Sequence, residues 1–263
     1  MTHCSKALVA LSALLLATTS AYPATVLYTQ NFENPTGFNN DGGDFNIFRT
    51  VNQLYGGQPA GFAFAQNFTV ETLLVGGTQA FGQGYKDPQA VAGSYVLGLL
   101  SGVQDDLLGL SMNVGSALFL NFRVDVSSID LDRQGGPFVP AGGLAPTFRF
   151  SLFDNPGAAS GLGSGSPLSF ADVTGTVGLN RYTFDWTNAV VGLSTAGNTN
   201  GNVILRIDLL AGGYAAMDNF VVAASDVPGD VPAIPEPATW ALMLAGLGGV
   251  GALARARRLG SSG

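Results

Sequence analysis

From Leu118 to Leu209 apolar side chains keep returning at every second position, and that period leaves few folds open. Leu118, Leu120, Phe122, Val124 and Val126 share one face of an extended segment; Phe119, Asn121, Arg123, Asp125 and Ser127 share the other. Phe148, Phe150 and Leu152 alternate with Arg149 and Ser151, and Tyr182, Phe184 and Trp186 with Arg181, Thr183 and Asp185. Val203, Leu205, Ile207 and Leu209 alternate with Asn202, Arg206 and Asp208, with Ile204 interrupting the polar face. A period of two built from β-branched and aromatic residues describes half-buried strands. Turn formers separate them, at Asn34-Pro35, Asp41-Gly42-Gly43, Gly135-Gly136-Pro137, Asn155-Pro156-Gly157 and Gly197-Asn198. No stretch ahead of the C-terminal region carries a long helical stripe. Leu107 to Leu120 comes nearest, and Gly109 and Gly115 oppose a helix there. With no internal repeat, the expectation is an all-β chain folded as a β-sandwich.

Both ends depart from this pattern. Lys6 precedes the apolar run Ala7–Ala17, and the small residues Thr18-Thr19-Ser20-Ala21 follow. The run is too short to span a bilayer and has the order of a secretory signal peptide, residues 1–21. Thr19 and Ala21 place the cleavage after Ala21, with Ala24 as the alternative. Near the other end, Ala238–Ala254 carries no charge and would be about 25 Å long as a helix, the lower limit for a single transmembrane helix. Arg255, Arg257 and Arg258 follow at once, which puts the tail 255–263 on the cytoplasmic side and the residues before the span outside. Between the expected ectodomain, 22–225, and the span, residues 226–237 alternate prolines and acids and read as a linker.

The linker ends in Pro235-Glu236-Pro237, followed by the apolar run and the Arg cluster. From Val231 onward the chain resembles the PEP-CTERM sorting signal of Gram-negative bacteria. The resemblance implies signal peptidase and exosortase as processing partners, the latter a membrane cysteine peptidase, and transient anchoring in the inner membrane. It further implies onward transport to the cell surface or the exopolysaccharide matrix. Prolines suit such a tag because they hold the peptide extended and keep it out of the helix that follows. At the two ends of the ectodomain, Asn31-Phe32-Glu33 and Met217-Asp218-Asn219-Phe220-Val221-Val222 resemble the first and last strands of the jelly-roll sandwiches of carbohydrate-binding modules.

Charge and chemistry narrow the function classes. Between Tyr22 and Ile234 stand seven basic and 17 acidic residues, a net of −10, which opposes binding to nucleic acid. The one cysteine, Cys4, and the one histidine, His3, fall within the signal peptide. The mature chain therefore has no disulfide, no Cys or His metal ligand and no nucleophile–histidine pair. General acid–base work would fall to carboxylates, Tyr or Lys86. The ectodomain has two glutamates, Glu33 and Glu71, and among its aspartates neither Asp105-Asp106 nor Asp130 and Asp132 forms an evident opposed pair. Gly161-Leu162-Gly163-Ser164-Gly165 lacks a strand–helix context and reads as a flexible loop, and Asn67-Phe68-Thr69 is a glycosylation sequon by pattern alone. Tyr55, Phe62, Phe64 and Tyr85 are candidates for stacking on sugar rings, with core packing as the ordinary role of each.

The expectation is an exported, non-catalytic surface or matrix protein that binds extracellular polysaccharide; the alternative is a carboxylate-based glycoside hydrolase. The jelly-roll resemblance adds a candidate structural calcium site. First and last strands that lie side by side would bring Glu33 and Asp218 together, and a divalent cation would relieve their repulsion. Asn34, Asn40, Asp41 and Asp44 supply further oxygens nearby in sequence.

Overall fold

The computed structural model describes residues 23–233, apart from 68, 101–105, 130–144, 179 and 181. Along these residues run β1 (Thr25–Gln30), β2 (Phe45–Asn46), the one-turn helix α1 (Val51–Leu54), β3 (Ala63–Asn67), β4 (Glu71–Leu74) and a 3-10 turn at Ala80–Gly82. Then come β5 (Tyr95–Leu100), β6 (Leu107–Asn113), β7 (Phe119–Ser128), β8 (Thr147–Asp154), β9 (Ser169–Thr174), β10 (Asp185–Ser194), β11 (Asn202–Ala211) and β12 (Tyr214–Ser225). The chain is all-β and forms two sheets, as a β-sandwich does. The smaller has the order β3-β6-β11-β8-β9; the larger has the order β10-β7-β12-β5-β4-β2, with β1 also beside β12.

β12 organises the larger sheet. One edge pairs with β7 throughout, through a bulge between Asp218 and Val221. The other edge is shared: β5 takes Tyr214–Met217 and β1 takes Phe220–Ala224. The first and last strands are therefore neighbours, and the change of partner falls at Asp218-Asn219. Asn219 absorbs it with a left-handed backbone (φ 54), a conformation Asn tolerates better than most residues.

The alternation read from the sequence fills the space between the sheets. Leu120, Phe122, Val124 and Val126 of β7 face Phe148, Phe150 and Leu152 of β8 and Val203, Leu205 and Ile207 of β11, all buried. Phe122 stands edge-on to Phe220 at 5.0 Å and to Phe150 at 5.3 Å, and Phe32 edge-on to Phe220 at 4.8 Å, the geometry that aromatic quadrupoles favour. Leu118, assigned by its period to the same row, instead precedes the strand and is exposed.

Tyr182, Phe184 and Trp186 are buried as their period predicts, but on the other side. They form a second core with Leu73, Tyr85, Val96, Leu100 and Tyr214 on the outer face of the large sheet. Segment 85–93 covers that face. Its Lys86 forms a bridge with Thr183, and Asp87 and Gln89 accept from the Nε1 and the backbone N–H of Trp186. The glycine-rich stretch 161–165 likewise lies against structure. A side chain at Gly163 would meet the ring of Phe153, and one at Gly109 would meet the Gly161 carbonyl. This passage shields Ile204, which explains an apolar residue on the polar side of β11.

After β12 the chain turns back on the sheet through Asp230, so the stretch expected to be a linker begins as an ordered segment. Among the described residues no helix is long and apolar enough to cross a membrane. The expected signal peptide with its Ala21 cleavage, Pro235, Glu236, Pro237, the apolar run 238–254 and Arg255, Arg257 and Arg258 lie outside the described residues, as do Asp105, Asp130 and Asp132.

Candidate functional site

The outer face of the large sheet gathers the unusual chemistry of this chain. In β7 every second residue points away from the sandwich core, so Asn121, Arg123, Asp125 and Ser127 line that face. In β12 the same holds for Tyr214, Ala216 and Asp218. Two carboxylates thus stand directly opposite each other, Asp125 and Asp218, a cross-strand pairing that is unfavourable when both are charged.

The two are treated differently. Asp125 accepts from the side-chain amides of Asn188 (2.7 Å) and Asn219 (2.9 Å). Asp218 is 1% exposed, and one of its oxygens accepts from the Asn219 N–H at 2.6 Å. The other, Oδ2, is buried without a hydrogen-bond partner. Burial pushes the Asp218 carboxyl up to about 8, with the negative charges of Glu33, Asp125 and Asp87 adding to the rise. Glu33 itself is engaged with backbone: its Oε1 accepts from the N–H groups of Ser94 (2.7 Å) and Tyr95 (3.2 Å) at the start of β5.

Other oxygens proposed for this site are engaged elsewhere. Asp44 is 1% exposed and accepts from Gln79 N–H (2.6 Å) and Ala80 N–H (2.8 Å), pinning the 3-10 turn. Asn40 and Asp41 close their own loop through Gly42, Asp44 and Ile47. Among the described residues no three His, Cys, Asp or Glu side chains converge as a metal-ligand set. What the geometry offers a cation is one orphaned, buried carboxylate oxygen, Oδ2 of Asp218.

A second buried acid lies further along β12. Glu71 of β4 accepts from the Tyr214 hydroxyl. Gly98 lies between them in the sheet and leaves room for that ring, since a side chain there would meet the Tyr214 hydroxyl at 3.1 Å. Burial, joined by the charge of Asp106, pushes Glu71 up to about 8 against the pull of the Tyr214 hydrogen bond. Tyr214 and Tyr85 are pushed up in turn, first by burial and then by the Glu71 charge. Asp106 accepts from Thr69 N–H and Leu100 N–H and is fully buried, a structural role.

These acids are enclosed, whereas glycoside hydrolysis needs two opposed carboxyl groups in an open cleft. Three surface hollows, of about 500, 380 and 170 Å³, carry at most one carboxylate each: Asp87 in the first and Asp185 in the last. The aromatics singled out for sugar stacking are core residues. Tyr55, Phe64 and Tyr85 are buried, and Phe62 packs against the core, stacked on Tyr28 at 5.0 Å.

The exposed rings among the described residues are Phe48, Phe81 and Phe170, and the last two have partners. Phe81, at the crest of the 3-10 turn, is 52% exposed and stacks on Tyr182 at 4.5 Å with 3° between planes. Both hold left-handed backbones (φ 50 and 55), which costs about 1–3 kcal/mol for such side chains. Phe170 of β9 carries Arg149 over its ring at 4.6 Å, and Arg149 is held by a bidentate bond to Asp172. Neither ring lies within a clear strand period with polar neighbours in sequence that would have marked it as exposed.

Residues 233–258 match the PEP-CTERM protein-sorting motif. Among curated proteins nothing matches the chain by sequence. Solved structures resemble it distantly. The CBM22-1 xylan-binding domain of Paenibacillus barcinonensis Xyn10C is 12% identical with a TM-score of 0.40, covering 78% of this chain and 97% of that one. A cyclase from Fischerella sp. TAU is 15% identical with a TM-score of 0.41, covering 80% and 100%. The K3 adhesin domain of Lys-gingipain from Porphyromonas gingivalis is 11% identical with a TM-score of 0.35, covering 76% and 99%.

Glu71 generates a pH dependence with a definite sign. Its carboxyl titrates near 4.5 when unfolded and near 8 when folded, so the native state holds the proton longer. Stability from this group is complete below about pH 4.5 and is lost as pH rises toward 8, at up to about 1.4 kcal/mol per pH unit. Thermal melts of the sandwich should fall between pH 5 and pH 8. Glu71→Gln, which keeps an acceptor for Tyr214, should lessen that fall without removing it, because Asp218 is raised in the same direction and contributes the remainder; a Gln variant with the unchanged slope would remove Glu71 as a source.

Proposed function

We propose that the chain is an exported, non-catalytic protein of the cell surface or exopolysaccharide matrix, whose sandwich binds glycan. The sorting motif carries this reading: it implies an exported, exosortase-processed protein, and it follows the last strand by only a few residues. In this reading residues 1–21 are a signal peptide removed by signal peptidase after Ala21. Residues 238–254 hold the chain in the inner membrane with Arg255, Arg257 and Arg258 inside, and exosortase removes the tail. The adjacency of β1 and β12 supports a jelly-roll arrangement of the sandwich.

For the sugar contact the ring of Phe81 is the best candidate. One of its faces rests on Tyr182 and the other is left for the apolar C–H face of a pyranose. Calcium is proposed as a structural ion at the orphaned Asp218 oxygen, with Glu33 as second carboxylate; there it would neutralise charge and join the end of β1 to the bulge of β12.

Three measurements test these parts separately. Mass spectrometry of the matured protein should show a start at Tyr22 or Thr25 and no residues beyond the vicinity of Pro237; an intact Arg cluster on the surface form would refute the sorting reading. In affinity electrophoresis through matrix polysaccharide the sandwich should be retarded, and Phe81→Ala should abolish the retardation while Phe170→Ala keeps it. Equal loss in both variants, or none in either, would rule out the Phe81 platform. Millimolar calcium should raise the melting temperature relative to chelator, by about 2.7 kcal/mol of stability at a hundredfold excess over Kd. Asp218→Asn should remove the difference, and a wild type indifferent to chelator would dismiss the ion.

A further inference from the structure

Beyond Ser225 the chain is gathered around one side chain. Asn121 lies on the outer face of β7 and is fully buried. Its amide nitrogen donates to Ser225 Oγ (2.9 Å), to the Val227 carbonyl (3.1 Å) and to the Asp230 carbonyl (3.2 Å), and its oxygen accepts from Gly229 N–H (2.6 Å). Ser225 Oγ joins by donating to the Val227 carbonyl, and Asp226 accepts from Leu118 N–H. The floor under this turn is shaped to receive it. Asn121 lies in register with Gly192 of β10 on one side and Ala223 of β12 on the other. A side chain at Gly192 would stand 2.7 Å from Gly229 N and 2.9 Å from Pro228 Cα, closer than real contacts allow. Gly229 itself has φ +76, which permits the reversal.

A buried amide facing a loop is expensive unless every bond is made, and an apolar residue would serve the sheet alone equally well. The side chain at 121 therefore serves the segment. Its effect is on reach. Pro235 is five residue steps beyond Asp230, so it can stand at most about 18 Å from the clamped point; measured from Ser225, the free length would be twice that.

We propose that this clamp sets how far from the folded body the sorting motif is offered to the membrane peptidase, with Asn121 as a positioning residue for tail removal. The proposal rests on the exosortase reading. A peptidase seated in the membrane must draw in an extended stretch of tail that a two-sheet body cannot follow. The clamp keeps the spacer near the minimum that admits the motif, and releasing it returns residues 226–230 to the spacer.

The test combines a shortened spacer with a released clamp in the full chain, expressed in an exosortase-bearing host, with tail loss followed by pulse-chase and mass. Deleting 231–233 should slow removal about tenfold or more, as misplacement of a scissile segment does. Asn121→Ala added to the deletion should restore the wild-type rate within about twofold. Gly192→Val, which leaves Asn121 intact and drives the segment off sterically, should restore it too. Amide exchange at Gly229 should be protected in wild type and fast in both clamp variants, with the core amides unchanged. The clamp falls if the deletion is processed at the wild-type rate, or if neither variant rescues it. Retention of the tail by the wild type would instead overturn the exosortase reading, and the clamp with it.

Discussion

β12 has one partner along one edge and two along the other, and much of the structure follows from that division. The twelve-residue strand pairs continuously with β7, while β5 occupies its first half and β1 its second. Two strands arriving on one edge leave a gap where neither is paired. The gap is filled with polar atoms: Asp218, the left-handed Asn219, and the carboxylate of Glu33 capping the first N–H groups of β5. Asn219 ties the site together by donating to Asp125 and to the Val91 carbonyl of the covering segment. Backbone groups at the junction are thereby satisfied, at the expense of a concentration of buried negative charge.

The outer face of the same sheet is consequently not a simple solvated surface. Segment 85–93 covers one end, above Glu71, Tyr214 and the aromatic cluster, and the turn 226–230 covers the other, above Asn121. Glycines mark the close approaches, with Gly98 admitting the Tyr214 ring and Gly192 admitting the backbone at Pro228-Gly229. Glu71 and Asp218 owe their raised proton affinity first to burial, so the covering segments and the chemistry beneath them depend on each other.

The sandwich core was legible in the sequence because period two is a geometric signature: β7, β8 and β11 bury the rows that their alternation named. Which of two faces a row occupies was not. Tyr182, Phe184 and Trp186 have the same pattern as Phe148 to Leu152, yet they pack outside the sandwich under loops, and only long-range pairing decides that. β5 and β6 gave little signal, since Val96–Leu100 and Leu108–Met112 are buried on both faces and have no polar alternation. At the candidate site the side-by-side placing of the first and last strands was readable. The role of Glu71 was hidden because its partner Tyr214 lies far away in sequence, and Asn121 looked like one polar residue among several on an exposed row.

The pairing of β1 with β12 also orders events in time. Thr25 meets Ala224, so the large sheet cannot close until nearly all of the described chain is present, and contacts of such sequence separation form late. A chain delivered N-terminus first would remain open until its last strand arrived. By then only the turn 226–230 and the residues beyond it would be outstanding. Completion of the fold and appearance of the tail become nearly simultaneous, so an accessible tail reports a finished body.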